Sequence, residues 1–499
     1  MGIKTFAKHF LPTTMRQFEQ GRENIKNNQQ SILAELTQRI DNLSSHVARL
    51  ESSMKYGIGS LNEYSSITNG VVAFKNFVKT RTTTAWRLDF VVYEKWLDKK
   101  PKTKEIYFEM NAPIDPSDDL IAYTLASYCG RIYQRIFFDL CLHEETIDNI
   151  EAFTDSKTNC RTLILHEKSS SPQSNNRFRA TGDEPFPSIA LAFSGGLDSL
   201  AAKMLMPENT RLFSVNYEGR ERESASFLLY NPVVLSTNLR KTIRVYYHNW
   251  TALCSAALLC QETYPADFVA AGRIFEDYPE YHLFNQTIPD CFFPHSFLGV
   301  NSLWYTLGLT QIGTALVCAR SLSPEELRQA LDSLESVGTI KRYRKECILK
   351  ILWRKYHIGI EINNLPLPEE EKKISFGSFF SEDFLMPYFV KNLGIQSVSA
   401  MLVDIPECLA ELAASLSMDF YERFLPTMSG DFPPQLGREY LRRLKEIGIS
   451  DFNENDIKEL NIVLDTLDEY HHFNNKDYAI IRNNNWDSPR LVPERVEAY

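Results

Sequence analysis

Ile189-Ala-Leu-Ala-Phe193, Ser194-Gly195-Gly196-Leu197-Asp198-Ser199 and Leu200-Ala-Ala-Lys-Met-Leu-Met206 follow one another without interruption. The first stretch is a short continuous apolar run, as expected for a strand buried on both faces of a parallel sheet. The last is rich in strong helix formers. Between them, two adjacent glycines permit a tight turn and bring backbone amides close to an anion. The helix that follows adds its N-terminal N–H groups and the positive end of its dipole. Ser194 and Ser199 contribute hydroxyl donors, with Leu197 between them. Asp198 conflicts with direct phosphate binding, because like charges repel. Magnesium bridging carboxylate and phosphate removes the conflict, and capping of the helix is the alternative role. The loop is not of the Gly-x-x-x-x-Gly-Lys-Ser/Thr type, so kinase or GTPase chemistry is not implied, and it lacks the dinucleotide spacing Gly-x-Gly-x-x-Gly.

Outward from the loop, strand and helix alternate over residues 189–320. Arg211–Tyr217 reads as a second strand, Ile243–Tyr247 as a third, and Trp250–Glu262 as a helix. Asp267–Gly272 is a fourth strand ending in glycine, and Thr314–Cys318 a fifth. The expectation is an α/β, doubly wound, mostly parallel sheet with helices on both faces over 189–356. Gly272, at the carboxyl end of its strand, is where such a sheet admits a nucleotide. Arg273 next to it is a candidate for a phosphate or carboxylate. Asp277 and Glu280 are candidates for binding substrate or a second magnesium, and His282 and His295 candidates for a catalytic role. Lys341, Arg342, Arg344 and Lys345 form a basic cluster that either neutralises a polyanionic ligand or lies on a solvated helix face.

Ser-Gly-Gly-x-Asp-Ser between a strand and a helix resembles the hallmark of the PP-loop ATP pyrophosphatase superfamily. All five fixed positions match, and the resemblance covers about residues 188–356. It implies that ATP is cleaved between its α and β phosphates, that a substrate oxygen takes AMP, and that pyrophosphate leaves. A nitrogen or sulfur nucleophile then displaces AMP, which makes the protein an ATP-dependent ligase, C–N bond forming by expectation. ATP and Mg2+ are the implied cofactors, with Asp198 and Ser199 catalytic, Asp198 also the metal ligand, and adenine held by backbone around Val215, Asn216 and Tyr217. Within the superfamily, Gly272-Arg-Ile-Phe-Glu-Asp277-Tyr278-Pro279-Glu280 is similar to a loop of the 7-cyano-7-deazaguanine synthase branch. Glu280 stands where that branch has Asp, and Cys347 stands alone where it has a four-cysteine zinc site. Divergent proteins of this look, with an extra N-terminal domain, also occur in bacterial defence systems. The implied substrate is a small molecule or nucleobase. No Cys/His/Glu glutaminase set can be assembled from the spacing, so ammonia or sulfur comes free or from a partner. The competing expectation is an ATP-binding sensing or assembly subunit without turnover, and a third is a structural oligomer with a vestigial loop.

The rest of the chain frames this segment. Of 499 residues, 54 are Lys or Arg and 64 Asp or Glu, a net −10, which disfavours nucleic-acid binding by bulk charge. Nine scattered cysteines without a CxxC pair point to reduced thiols and a cytoplasmic setting rather than a zinc ribbon. No apolar run is long enough for a membrane-spanning helix, and the first residues lack a secretory h-region. Residues 1–60 carry Leu36, Ile40, Leu43, Val47, Leu50 and Met54 at heptad spacing, a coiled-coil seam expected to support a homo-oligomer. Ahead of it, Ile3, Phe6, Phe10 and Leu11 alternate with cations, an interfacial helix or a frayed terminus. Residues 65–166 read as a small α/β domain, with strands at 87–93, 105–109 and 161–166 and a helix from Asp118 through Ile136. His143-Glu144-Glu145 reads as a solvated helix end. Residues 167–188 read as a linker, and 365–499 as a helical region with segments at 405–424 and 436–447 split by Pro433-Pro434.

Overall fold

The architecture comes from a computed structural model, which describes residues 70–96, 99–129, 133–165, 186–218, 224–239, 252–277, 301–368, 373–426 and 432–471. The N-terminal heptad seam, residues 167–185 of the linker, the strand expected at 243–247, and Glu280, His282 and His295 lie outside the described residues.

Ten strands form one sheet: β1 Gly70–Arg81, β2 Trp86–Lys95, β3 Lys102–Met110, β4 Tyr133–His143, β5 Lys157–Ile164, β6 Ile189–Ala192, β7 Arg211–Tyr217, β8 Val233–Thr237, β9 Phe268–Ala271 and β10 Asn301–Trp304. Their order is β10-β9-β6-β7-β8-β3-β2-β1-β4-β5. The five strands β6 to β10 are mutually parallel. Three antiparallel pairings, β8–β3, β3–β2 and β2–β1, lead to a second parallel set, β1–β4–β5. Phe108 pairs with Thr237 and Met110 with Leu235. The hydrogen-bonded ladder therefore crosses from the expected N-terminal α/β unit into the loop-bearing unit.

The pleat distributes β6 between two cores. Ile189 and Leu191 join one cluster with Leu200, Ile312 and Ile348, while Ala190 and Ala192 join the other with Phe213, Leu235 and Phe108. Alternate residues of a strand point to opposite faces, so a strand buried on both sides must be apolar throughout. Helices cover both faces of the parallel half: α3 Leu197–Leu205, α6 Gln311–Ser321 and α8 Ile340–Tyr356 contribute to the first core, and α5 Ser255–Leu259 to the second. The second core also takes α1 Asp118–Cys129 and α2 Glu144–Thr154. α4 Ser224–Tyr230 and α7 Pro324–Leu334 complete the connections of the parallel half.

Three expected elements need correction. The helix opening at Asp118 stops at Cys129, and Ile136 lies in β4; from Tyr133 the apolar period changes to two, with Ile136, Phe138, Leu140 and Leu142 inward. Val233–Thr237 is a further parallel strand, beyond those expected from the sequence. Thr314–Cys318 belongs to α6, whose N-cap Thr310 accepts from the amides of Ile312 and Gly313, and the fifth strand is Asn301–Trp304. The helix expected over 250–262 is interrupted: Ala252 and Leu253 are helical, Cys254 turns, and the helix resumes over Ser255–Leu259. In the C-terminal region, helices Cys408–Ser415, Pro434–Ile447 and Glu454–His471 accompany two short parallel strands, Ile374–Ser375 and Leu402–Val403. Among the described residues no helix is long and apolar enough to cross a membrane.

Candidate functional site at the end of β6

β6 lies between β7 and β9, so the chain leaves it toward one side and returns later on the other. Such a reversal, at the carboxyl ends of the strands, is the usual ligand position in sheets of this kind. Residues 194–199 lie at this end of β6. Gly195 has φ +76°, and a Cβ there would lie 2.2 Å from Ser226 Oγ. The left-handed turn and the close approach of α4 both require glycine. Gly196 is the N-cap of α3 and supplies no side-chain cap, which leaves the first amides of the helix without an intrahelical partner. Ser194 Oγ lies 3.3 Å from Ser199 Oγ and accepts from Gly196 N at 3.4 Å, and Ser199 Oγ donates to Gly196 O at 2.9 Å. The loop thus presents backbone amides and two hydroxyls, with Ser194 exposed and Ser199 buried beneath it.

Asp198 does not cap the helix. Its Oδ1 accepts from Thr314 Oγ1 at 2.6 Å, and Lys345 Nζ stands 3.2 and 3.1 Å from its two oxygens. Lys345 is only 2% exposed, and a buried ammonium needs a carboxylate partner. The helix that brings it, α8, begins at the N-cap Thr339, which accepts from Arg342 N. The four neighbouring cations are divided rather than pooled. Lys345 takes Asp198, Arg344 takes Glu382, Arg342 takes Glu346 at 2.6 Å and Asp332 at 3.1 Å, and Lys341 reaches Glu335 at 3.7 Å. Burial holds the Arg344 guanidinium down to about 10.

Gly272 packs directly on the loop. A Cβ at this position would come within 2.7 Å of the carbonyl carbon and oxygen of Asp198 and 2.8 Å of Ser199 N. Glycine here lets the exit of β9 press against the first turn of α3. Arg273 is buried, its guanidinium 5.5 Å from the Trp304 ring centroid, and it donates to Asp277 O at 3.2 Å. Asp277 Oδ2 accepts from Ile274 N at 3.2 Å, closing its own turn. The β6 ladder ends at Ala192 opposite Phe213, so Val215, Asn216 and Tyr217 extend past it with β8 on their far flank. Val215 and Tyr217 are buried and Asn216 half-buried.

Two residues here carry no sequence signal of their own. Thr314 is hidden in an apolar run that reads as a strand. Glu276 is fully buried, with Oε1 accepting from Gln311 N at 2.7 Å, and burial pushes its carboxyl up to about 8. For magnesium, the chemistry of the donors sets the fit. No group of three or more His, Cys, Asp or Glu side chains converges among the described residues. Asp198 is the carboxylate at the loop, so a magnesium ion fits here as a shared partner of Asp198 and bound phosphate. Comparison of the chain with protein-family models, with curated proteins and with solved structures finds no match.

Proposed function

We propose that the protein is an ATP-dependent enzyme of the PP-loop type, which transfers AMP to a substrate oxygen with release of pyrophosphate and then exchanges AMP for a nitrogen or sulfur nucleophile. The observation that carries the reading is the loop 194–199: an uncapped helix N-terminus and a left-handed glycine at the switch point of a parallel sheet, with a buried ammonium paired to its own carboxylate. Its sequence resemblance adds to that observation. The amides of residues 195–199 bind the β and γ phosphates, the Ser194 hydroxyl donates to the charge that grows on the leaving pyrophosphate, and Ser199 joins it by turning its hydroxyl from the Gly196 carbonyl. Lys345 adds a fixed positive charge behind the loop, with Asp198 as its counter-ion. Magnesium, when bound, neutralises phosphate charge, and Asp198 is the residue that would hold it. The backbone of Val215, Asn216 and Tyr217 receives adenine. The acceptor is a small molecule or nucleobase, and the nucleophile arrives free or from a partner.

A second reading has one observation in its favour. Lys345 already engages both oxygens of Asp198, as suits a subunit that holds ATP for sensing or assembly without turnover. Incubation with ATP, magnesium and a candidate acceptor separates the two. Turnover yields AMP and pyrophosphate, and Ser194→Ala lowers the rate by about 10²-fold, the scale of one lost transition-state donor. ADP with phosphate overturns the adenylating reading, and tight ATP binding with no cleavage favours the second.

A further inference from the structure

Three polar atoms behind the loop are buried and have no hydrogen-bond partner among the described residues: Glu276 Oε2, Gln311 Oε1 and Arg344 Nε. Their side chains belong to residues 0%, 6% and 7% exposed. An unmade hydrogen bond at a buried group is destabilising, so these two acceptors and one donor are open to a partner that the described residues do not supply. They also stand beside the loop. Gln311 and Thr314 occupy the first turn of α6; the amide of the first fixes Glu276, and the hydroxyl of the second fixes Asp198. Three residues of helix rise about 4.5 Å, so the two carboxylates are bound less than one helical turn apart. Gly272, four residues before Glu276, anchors the same segment to the backbone of Asp198.

We infer that Glu276, with Gln311 beside it, forms the subsite for the nitrogen nucleophile, taking ammonium or a primary ammonium group. The two unpartnered oxygens accept N–H bonds, and the burial of both side chains disfavours a more strongly hydrated cation. This inference rests on the adenylating reading for its place in the reaction. Ammonium gives one proton to Glu276 Oε2. The freed lone pair bonds to the carbon that carries the adenylated oxygen, the carbon–oxygen bond breaks with its electron pair going to AMP, and the second surplus proton leaves on the AMP phosphate. The charged and titratable groups facing Glu276 are Asp277 from its own turn, Asp198 from the loop, Arg344 from α8 and Tyr421 from the turn over α6. With burial the leading cause, they leave its carboxyl protonated at neutral pH, a proton affinity suited to exchange with an amine.

The test is calorimetric titration of the full chain with ammonium chloride and, separately, tetramethylammonium chloride, at pH 7 and constant ionic strength in two buffers of different protonation enthalpy. Ammonium binds and tetramethylammonium, which has no N–H, does not. Protons are released as ammonium binds, because an acid that titrates near 8 is mostly protonated at pH 7. Glu276→Gln weakens ammonium binding at least tenfold and removes the release. Should that variant fail to fold, Gln311→Leu keeps the backbone donor to Glu276 and weakens binding several-fold with the release intact. Equal binding of both cations by the native chain, or unchanged ammonium binding in folded Glu276→Gln, overturns the inference. A parallel titration with ATP and magnesium keeps the two proposals apart: ATP binding without ammonium binding sinks the subsite alone, and ammonium binding without ATP binding sinks the adenylating reading alone.

Discussion

Gly195 and Gly272 make different demands, and a single methyl group separates them. At Gly195 alanine meets a positive φ, worth roughly 1–2 kcal/mol, and the side chain of Ser226. At Gly272 it meets the backbone of Asp198 and Ser199, which yields only if the loop itself moves. Gly195→Ala is therefore expected to recover part of its lost ATP affinity when combined with Ser226→Gly. Gly272→Ala is expected to lose at least tenfold in ATP affinity, and Ser226→Gly does not restore it. Calorimetric titration with ATP and magnesium checks both, and equal rescue at both positions would refute the distinction. The glycines, serines and Asp198 were legible in the sequence because their spacing is local. The partners of Asp198 were not. Thr314 and Lys345 lie 116 and 147 residues away, and no local pattern reports which buried ammonium answers which carboxylate.

The elements were legible where one period dominates. Arg211–Tyr217 is the strand that its apolar residues predict, and Pro434–Ile447 is the helix predicted after the Pro433-Pro434 break. The failures share a physical cause. A helix buried all round, such as α6 with every residue from Gln311 to Ala319 buried, has no polar face, and its short apolar run imitates a core strand. Its beginning is marked instead by Thr310, which accepts from the amides of Ile312 and Gly313 and donates to the carbonyl of Tyr421. Thr310→Ala removes the cap and is expected to cost about 1–2 kcal/mol, read as a lower urea midpoint, whereas Thr310→Ser retains most of it. Because α6 carries Gln311 and Thr314, the alanine variant also weakens ATP binding. Unchanged stability would show that the helix is held by packing alone.

At the scale of the molecule, the sequence suggests two α/β units separated by a linker, and the backbone joins them through β3 and β8. Neither the pairing of two strands about 130 residues apart nor its antiparallel sense leaves a mark on local composition. A fragment comprising residues 186–499 would expose the β8 edge together with Phe213, Val215 and Leu235 of the shared core, a surface prone to strand pairing between chains. We expect it to elute as aggregate in size-exclusion chromatography, and to become monodisperse when residues 67–165 are co-expressed; a stable monomeric fragment would contradict this. The same junction also sets the direction of the chain beyond it. Two successive antiparallel steps, β8 to β3 and β3 to β2, return β2 to the direction of β6. The register runs Val215, Leu235, Met110, Trp86 across the sheet, which sets the start of β2 level with the loop, so the exposed Lys95 and Lys102 at the far end of the β2–β3 pair stand roughly 30 Å farther along the strands. That is more than about three screening lengths at physiological salt, so these lysines act on no phosphate seated in the loop, and the pull on an incoming anion comes from the groups at the loop itself.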